Sequence, residues 1–223
     1  MEILKTENLE KVYEDNGVPV HALKGINLTI NKGDYLVIAG PSGSGKTTLL
    51  NLLGALDTPT KGKILFEGTD LAKKSRRELS EFRLQNLGFI FQAYNLIPVL
   101  TAIENIEFSM MLSGIPENER RERALSLMHE LDIKELADKR PNEMSGGQQQ
   151  RVAVARAIVN DPEVVLADEP TANLDSATGS VLLDLMEKMN KEKNITFIFS
   201  SHDKQVIDRA GILLKLKDGK IEK

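Results

Sequence analysis

The segment Gly40-Pro41-Ser42-Gly43-Ser44-Gly45-Lys46-Thr47 fits the pattern G-x-x-x-x-G-K-[ST], and its residue types suit one task, the holding of phosphate. Glycines let backbone N–H groups close around phosphate oxygens, and the start of a following helix adds partial positive charge. Lys46 has the reach for β- and γ-phosphates, and the Thr47 hydroxyl is a hard oxygen ligand for Mg²⁺. Thr48, the next residue, completes the predicted nucleotide-binding set. The elements needed to position this loop flank it. Tyr35-Leu36-Val37-Ile38-Ala39 reads as a buried strand, and Thr48-Leu49-Leu50-Asn51-Leu52-Leu53 as the start of a helix. Strand, glycine-rich turn and helix are the context the pattern requires, so the loop predicts a bound nucleotide.

Around that unit the chain reads as α/β. Residues up to about Asn31 alternate apolar and polar, as in Leu23–Ile30, and predict an antiparallel ribbon. Asn31-Lys32-Gly33-Asp34 is a turn into the loop strand. A further strand pair, near Lys63–Phe66 and Gly88–Phe91, brackets a helix around Ser75–Leu84. From Ala93 to Val159 the pattern is mainly helical. Pro116 opens the segment Glu117–Leu131, with Ala124, Leu125, Met128 and Leu131 as its apolar stripe. Val164–Ala167 and Ile195–Phe199 are continuous apolar runs typical of parallel strands buried on both faces. A last pair, Ile212–Leu216 and Lys220-Ile221, turns at Lys217-Asp218-Gly219.

Composition narrows the class. The 29 basic and 33 acidic residues leave a net charge of −4, which offers no whole-protein attraction to nucleic acid or anionic lipid. The basic run Lys73-Lys74-Ser75-Arg76-Arg77 is followed by Glu78 and Glu81 and lacks an aromatic platform, so it reads as a solvated helix face and no nucleic-acid partner is expected. There is no cysteine, hence no disulfide or thiolate metal site, which fits a reducing compartment. The N-terminus lacks a signal-peptide apolar core, and no apolar run approaches the roughly 20 residues of a membrane helix. Any membrane link must come through a partner.

Met144-Ser145-Gly146-Gly147-Gln148-Gln149-Gln150-Arg151 is the second informative segment, and a helix follows it with Val152, Ala155 and Ile158/Val159 on one face. With it the chain resembles the ATPase subunit of an ATP-binding cassette transporter over essentially its whole length, each motif occurring once and in family order. The resemblance implies one domain over 1–223: a P-loop core with a mainly parallel sheet, an N-terminal antiparallel β subdomain and a helical subdomain inserted at roughly 93–159. It makes Tyr13 the adenine-stacking aromatic, Gly40–Thr47 the Walker A loop, Gln92 the Q-loop residue and Met144–Gln148 the signature. It further makes Asp168 the Walker B carboxylate, Glu169 the catalytic acid position, Ala172-Asn173-Leu174-Asp175 the D-loop and His202 the switch histidine. Met144 stands where leucine is usual, a volume-conserving apolar exchange.

The residues also carry physical readings of their own. Asp168 ends an apolar strand, where a carboxylate can meet Mg²⁺ through its water shell; Thr47, Gln92, Asp168 and phosphate oxygens would suffice as ligands. Glu169 is placed to polarise a water for in-line attack on the γ-phosphate, with Lys46, Gln92 and His202 assisting. The alternative is that Asp168-Glu169 cap the next helix. His202 follows a strand end, where a neutral imidazole can hold the γ-phosphate, or it is a satisfied loop histidine. Tyr13 is either a stacking platform or core. Ser145, Gly146 and Gly147 open a helix and so form a second anion-binding end, or they merely cap it. In the family each signature faces the partner's Walker A loop, so the resemblance implies a homodimer around two ATP molecules, with Asp175 lying across the interface.

The stretch Ala93–Asn105, His21–Gly25 and Gln148–Arg151 are similar to the subgroup of macrolide-export, lipoprotein-release and cell-division cassette ATPases, and the end of the chain soon after Gly219 agrees. That implies a Mg²⁺-dependent ATPase powering a separate integral membrane permease, peripheral on the cytoplasmic face of the membrane. The alternative is an ATP-switch regulatory module of a cell-division-like signalling complex. Leu96, Ile97, Val99 and Leu100 either line a groove for the permease's coupling helix or pack the helical insertion.

Overall fold

The structure is a computed structural model, and it describes residues 1–15 and 17–222. The chain begins with the long strands β1 (Glu2–Asp15) and β2 (Val18–Asn31). Strand β3 (Tyr35–Ala39), helix α1 (Lys46–Leu53) and strands β4 (Lys61–Phe66) and β5 (Thr69–Asp70) come next. Helix α2 (Arg76–Asn86) leads to β6 (Leu87–Ile90), and helices α3 (Ala102–Leu112), α4 (Glu117–Glu130) and α5 (Gly146–Ile158) succeed it. Strand β7 (Val164–Asp168), helix α6 (Ser176–Lys193), β8 (Thr196–Ser201), the short α7 (Lys204–Ile207), β9 (Ile212–Lys217) and β10 (Lys220–Ile221) complete it. Two compact units emerge, one of Met1–Arg83 with Thr196–Lys223 and one of Leu84–Ile195.

In the first unit the ribbon is antiparallel, as its alternation predicts, and grows to the order β2-β1-β4-β5. Strand β4 pairs with β1, and β6 pairs with β7, so the expected strands near 63–66 and 88–91 are not partners of each other. Their burial explains it: β4 buries only alternate positions at its end, as an antiparallel strand with one wet face does, whereas β6 is apolar almost throughout. Also in this unit, β3 lies parallel to β8 on one side and β9 on the other, and all five residues of β3 are buried. Helix α1 packs on this strand group through Leu49, Leu50, Leu52 and Leu53.

The second unit holds the parallel pair β6/β7 and four helices. Helix α5 is buried nearly all round, with Val152, Ala153, Val154, Ala155, Ala157 and Ile158 inside, so it serves as the central rod of this unit. Gly88 lets it approach β6, since a Cβ there would stand 2.3 Å from the Ala157 carbonyl oxygen. On α4 the buried stripe is Ala124, Leu127, Met128 and Leu131; Leu125, expected inward, is half-buried, because the i, i+3, i+4, i+7 spacing selects Leu127 instead. Thr101 and Glu104 form a reciprocal capping box that starts α3. The chain thus has the predicted class: a P-loop α/β fold with an N-terminal antiparallel β region, a mainly parallel core and inserted helices. No helix among the described residues is long and apolar enough to cross a membrane.

Candidate nucleotide-binding site

The first unit builds the phosphate loop by backbone crowding. At Gly40 a Cβ would lie 2.1 Å from the Leu216 carbonyl oxygen and 2.7 Å from Ser44 Oγ, so only glycine lets β3 turn out beside β9. Gly45 holds a left-handed φ of 104°, with the Ala22 carbonyl oxygen 2.7 Å from where a Cβ would sit. The Ser44 N–H donates to Pro41 O at 3.2 Å and the Gly219 N–H to Ser44 O at 3.0 Å, which closes the loop against the β9–β10 turn. Ser44 is buried, and Pro41, Ser42 and Gly43 are exposed at the loop's crest.

Helix α1 then starts without a side-chain cap and without an acidic residue in its first turn. By contrast α3, α5 and α6 each begin on a capping side chain. With no acidic side chain of its own in that turn, the N-terminus of α1 presents its partial positive charge to an anion. Lys46 is only 8% exposed, and its Nζ donates back to Gly40 O at 2.8 Å and Pro41 O at 3.2 Å, which holds the positive charge over the loop. Thr47 is exposed and Thr48 half-buried.

Two other predicted residues belong to this unit. His202 is exposed directly after Ser201, and Ser201 pairs in register with Ala39, so the imidazole leaves β8 at the end where β3 delivers the loop. Tyr13 is 39% exposed, not core, and its hydroxyl donates to Asp57 Oδ2 at 2.8 Å. Burial, followed by this bond to Asp57, raises the phenol's pKa, so it stays a donor. His21 is exposed.

In the second unit the parallel register aligns Ile90 with Ala167, so Gln92 and the Asp168-Glu169 pair emerge at the same end of β6/β7. Asp168 and Glu169 are both half-buried there. They cap no helix: the cap of α6 is Asp175, whose Oδ1 accepts the N–H groups of Ala177 and Thr178. Hydrogen bonds from Thr178 hold the Asp175 carboxyl below its usual range. Glu169 has a φ of 46°, a left-handed conformation that is costly for a non-glycine residue and recurs at functional positions.

The signature segment begins α5 with a capping box: Ser145 Oγ accepts the Gln148 N–H, and Gln148 Oε1 accepts the Ser145 N–H. The run of glutamines therefore has structural tasks of its own. Gln149 donates to Met144 O, and the buried Gln150 donates to Pro170 O at 2.8 Å. Met144 is buried, as its apolar match to leucine requires.

Sequence reading missed the side chains that tie these motifs together. The Asn173 amide donates to Gln92 O at 2.8 Å, and a Cβ on Gly146 would lie 2.7 Å from the Tyr94 hydroxyl. A Cβ on Gly147 would lie 2.4 Å from Thr178 Cγ2. Tyr94 and Asn95 are both left-handed, and their carbonyls are gripped by the Arg156 guanidinium at 2.8 and 2.5 Å. Burial lowers the pKa of Arg156. Asn105, fully buried, bonds the backbone of Ile97, Leu100 and Thr101 and so fixes the segment after Gln92. Of the apolar residues in that segment Val99 is 74% exposed, and Leu96, Ile97 and Leu100 are half-buried.

A strand that ends in an uncapped, glycine-turned helix start with a lysine folded over it defines a P-loop nucleotide-binding protein. The family described as "ABC transporter" matches residues 23–172, and the chain belongs to that family. It is 44% identical over 99% of its length to an uncharacterised ABC transporter ATP-binding protein of Thermotoga maritima, of which it covers 94%. It is 41% identical over 98% of its length to the lipoprotein-releasing system ATP-binding protein LolD of Syntrophus aciditrophicus, of which it covers 98%. To the macrolide export ATP-binding/permease protein MacB of Brucella melitensis it is 42% identical over 98% of its length, and it spans 34% of that longer protein. A dimeric post-hydrolysis structure of a Methanocaldococcus jannaschii ATP-binding cassette, bound to ADP and phosphate, superposes with a TM-score of 0.92 at 40% identity, over 99% of this chain and 97% of that one.

Proposed function

We propose that this chain is the Mg²⁺-dependent, ATP-hydrolysing subunit of a transporter: two copies close around two ATP molecules, and closure drives a separate membrane permease of the macrolide-export or lipoprotein-release type. The observation that carries ATP binding is the acid-free N-terminus of α1, which has no side-chain cap, beneath the Lys46 ammonium. The kinship to LolD and MacB, and the dimer formed by the archaeal relative, support the rest. The proposed location is the cytoplasmic face of the membrane, reached through the permease that the insertion at roughly 93–159 receives.

In this reading the loop Gly40–Thr48 holds the triphosphate by backbone N–H groups, and Lys46 binds the β- and γ-oxygens. Tyr13 stacks on the base. Glu169 orients and polarises the attacking water; His202 and Gln92 hold it and the γ-phosphate in line. Ser145, Gly146 and Gly147 offer the start of α5 to the γ-phosphate of the ATP bound by the other copy, and Asp175 lies across that interface. Thr47 and Gln92 are exposed and Asp168 is half-buried, and their hydroxyl, amide oxygen and carboxylate are hard oxygens with no soft donor among them, which suits Mg²⁺. When bound, Mg²⁺ neutralises charge on the β- and γ-oxygens.

The test is Glu169→Gln. It should retain ATP binding, lose about 10²–10⁴ in turnover, and run as an ATP-stabilised dimer on gel filtration. A wild-type turnover rate overturns the assignment.

A further inference from the structure

Among the described residues only two lysines are buried: Lys46, in the phosphate loop, and Lys11, at 9% exposure in β1. Burying an ammonium is unfavourable unless it is fully paired, so Lys11 calls for a cause. Its Nζ donates to Asp57 Oδ1 at 2.6 Å and to Thr58 O at 2.8 Å, and it stands over the Tyr13 ring, 4.8 Å from the centroid. The second oxygen of the same carboxylate accepts the Tyr13 hydroxyl at 2.8 Å.

The carboxylate is itself held in place. Asp57 Oδ1 also accepts the Thr58 N–H, Thr60 Oγ1 accepts the Val12 N–H at 3.0 Å, and the Thr60 N–H reaches Glu10 O at 2.9 Å. The ribbon's register slips between Lys11 and Val12, the kind of irregularity that re-aims a side chain. An exposed tyrosine without such ties would share its time among rotamers. Here the ring is fixed at its hydroxyl by Asp57 and over one face by Lys11.

We propose that Lys11 and Asp57 are positioning residues for the nucleotide base: they hold Tyr13 in one orientation, reserve one ring face for stacking, and occupy the phenol so that it cannot read the base edge. The inference rests on the reading of Tyr13 as the base-stacking residue. It names how the base is recognised, by π surface and hence by ring size, so purine nucleotides are favoured over pyrimidine ones and no base edge is hydrogen-bonded by this tyrosine. A cation over one face also draws ring density away from the other, which favours an electron-rich purine there.

The experiment measures competition against a fluorescent ATP analogue by ATP, CTP and tripolyphosphate, and reads the CTP/ATP ratio of dissociation constants. Tyr13→Ala should lower that ratio by about tenfold, within the range for a base on an aromatic ring, while tripolyphosphate affinity stays as in the wild type. Lys11→Met and Asp57→Asn should each lower the ratio by about threefold at unchanged tripolyphosphate affinity, and Lys11→Arg, which keeps a cation on the ring, should restore it. Tyr13→Phe, which cuts the tie to Asp57 without leaving an unpaired charge, should fall between wild type and Tyr13→Ala and serves if the other variants fold poorly. A general loosening of the fold would weaken ATP, CTP and tripolyphosphate alike and leave the ratio unchanged, which overturns the proposal. If Tyr13→Ala itself leaves the ratio unchanged, the stacking reading fails; if Tyr13→Ala lowers it and the Lys11, Asp57 and Tyr13→Phe variants do not, only the positioning role fails.

Discussion

Glu169 sits at a φ of 46°, and replacing it with glycine and with alanine separates the demands of its backbone from those of its carboxylate. Both variants lose the side chain beyond Cβ, so their difference reports the backbone alone. A left-handed conformation costs an L-residue about 1–2 kcal/mol, which alanine bears and glycine does not. Against this, glycine's greater freedom in the unfolded chain costs about 0.4–1 kcal/mol. The balance favours Glu169→Gly over Glu169→Ala by roughly 0.5–1 kcal/mol. In a chain of 223 residues, where each kcal/mol moves the midpoint by about 2–4 °C, the glycine variant should melt about 1–4 °C above the alanine variant. The assay is differential scanning calorimetry without nucleotide, beside steady-state phosphate release, in which both variants should lose turnover. The sign decides the matter. At an ordinary backbone position the glycine variant would be the less stable, so a glycine midpoint at or below the alanine one refutes the claim that the backbone is held there under strain.

The phosphate loop gives a graded pair. Gly40→Ala puts a Cβ against the immovable Leu216 carbonyl and should cost about 1–3 kcal/mol or more with loss of ATP affinity, whereas Gly43→Ala meets nothing within 4 Å and should cost only the left-handed penalty of about 1 kcal/mol; equal midpoints for the two would contradict the crowding argument. Ser145→Asp keeps a good helix cap, so thermal stability should hold, yet it sets a negative charge where the second copy's γ-phosphate is proposed to bind. An ATP-dependent dimer of that variant on gel filtration would rule out the cross-subunit role of Ser145. Burial works to raise the Asp57 carboxyl, but hydrogen bonds from Lys11, Tyr13 and the Thr58 N–H outweigh it, so its pKa lies below the ordinary value. Such a group contributes stability that is complete above the unfolded pKa near about 4 and is lost as pH falls through the lower folded value. Asp57→Asn should therefore shallow the acid limb of a stability–pH curve below about pH 4, and an unchanged limb would show that the ties to Asp57 add no stability.

The readable part of this protein is its local chemistry. A glycine-rich loop between an apolar strand and a helix, a Ser-Gly-Gly helix start with glutamine three residues after the serine, and a carboxylate pair closing an apolar strand are all encoded by residues within one turn or one strand of each other. Backbone geometry then leaves little choice: β3, the start of α1 and the start of α5 form where the spacing predicts, and the structure adds that Ser145 and Gln148 cap α5 reciprocally. Reading went astray where neighbours in space are not neighbours in sequence. The run near Lys63–Phe66 marks a strand but not that β1 is its partner, and the stripe of α4 turned on which leucine the packing chose.

The sequence by itself determined the class of the protein and picked out the candidate residues for phosphate, because those depend on residue type and short spacing. Tertiary structure alone decided how each is held. It brought Leu216 against Gly40, Asn173 to Gln92, Tyr94 beside Gly146, Arg156 onto two left-handed carbonyls, and Lys11 and Asp57 around Tyr13. Each of these contacts joins residues from different elements, and their meeting depends on strand register and helix packing that no local pattern encodes.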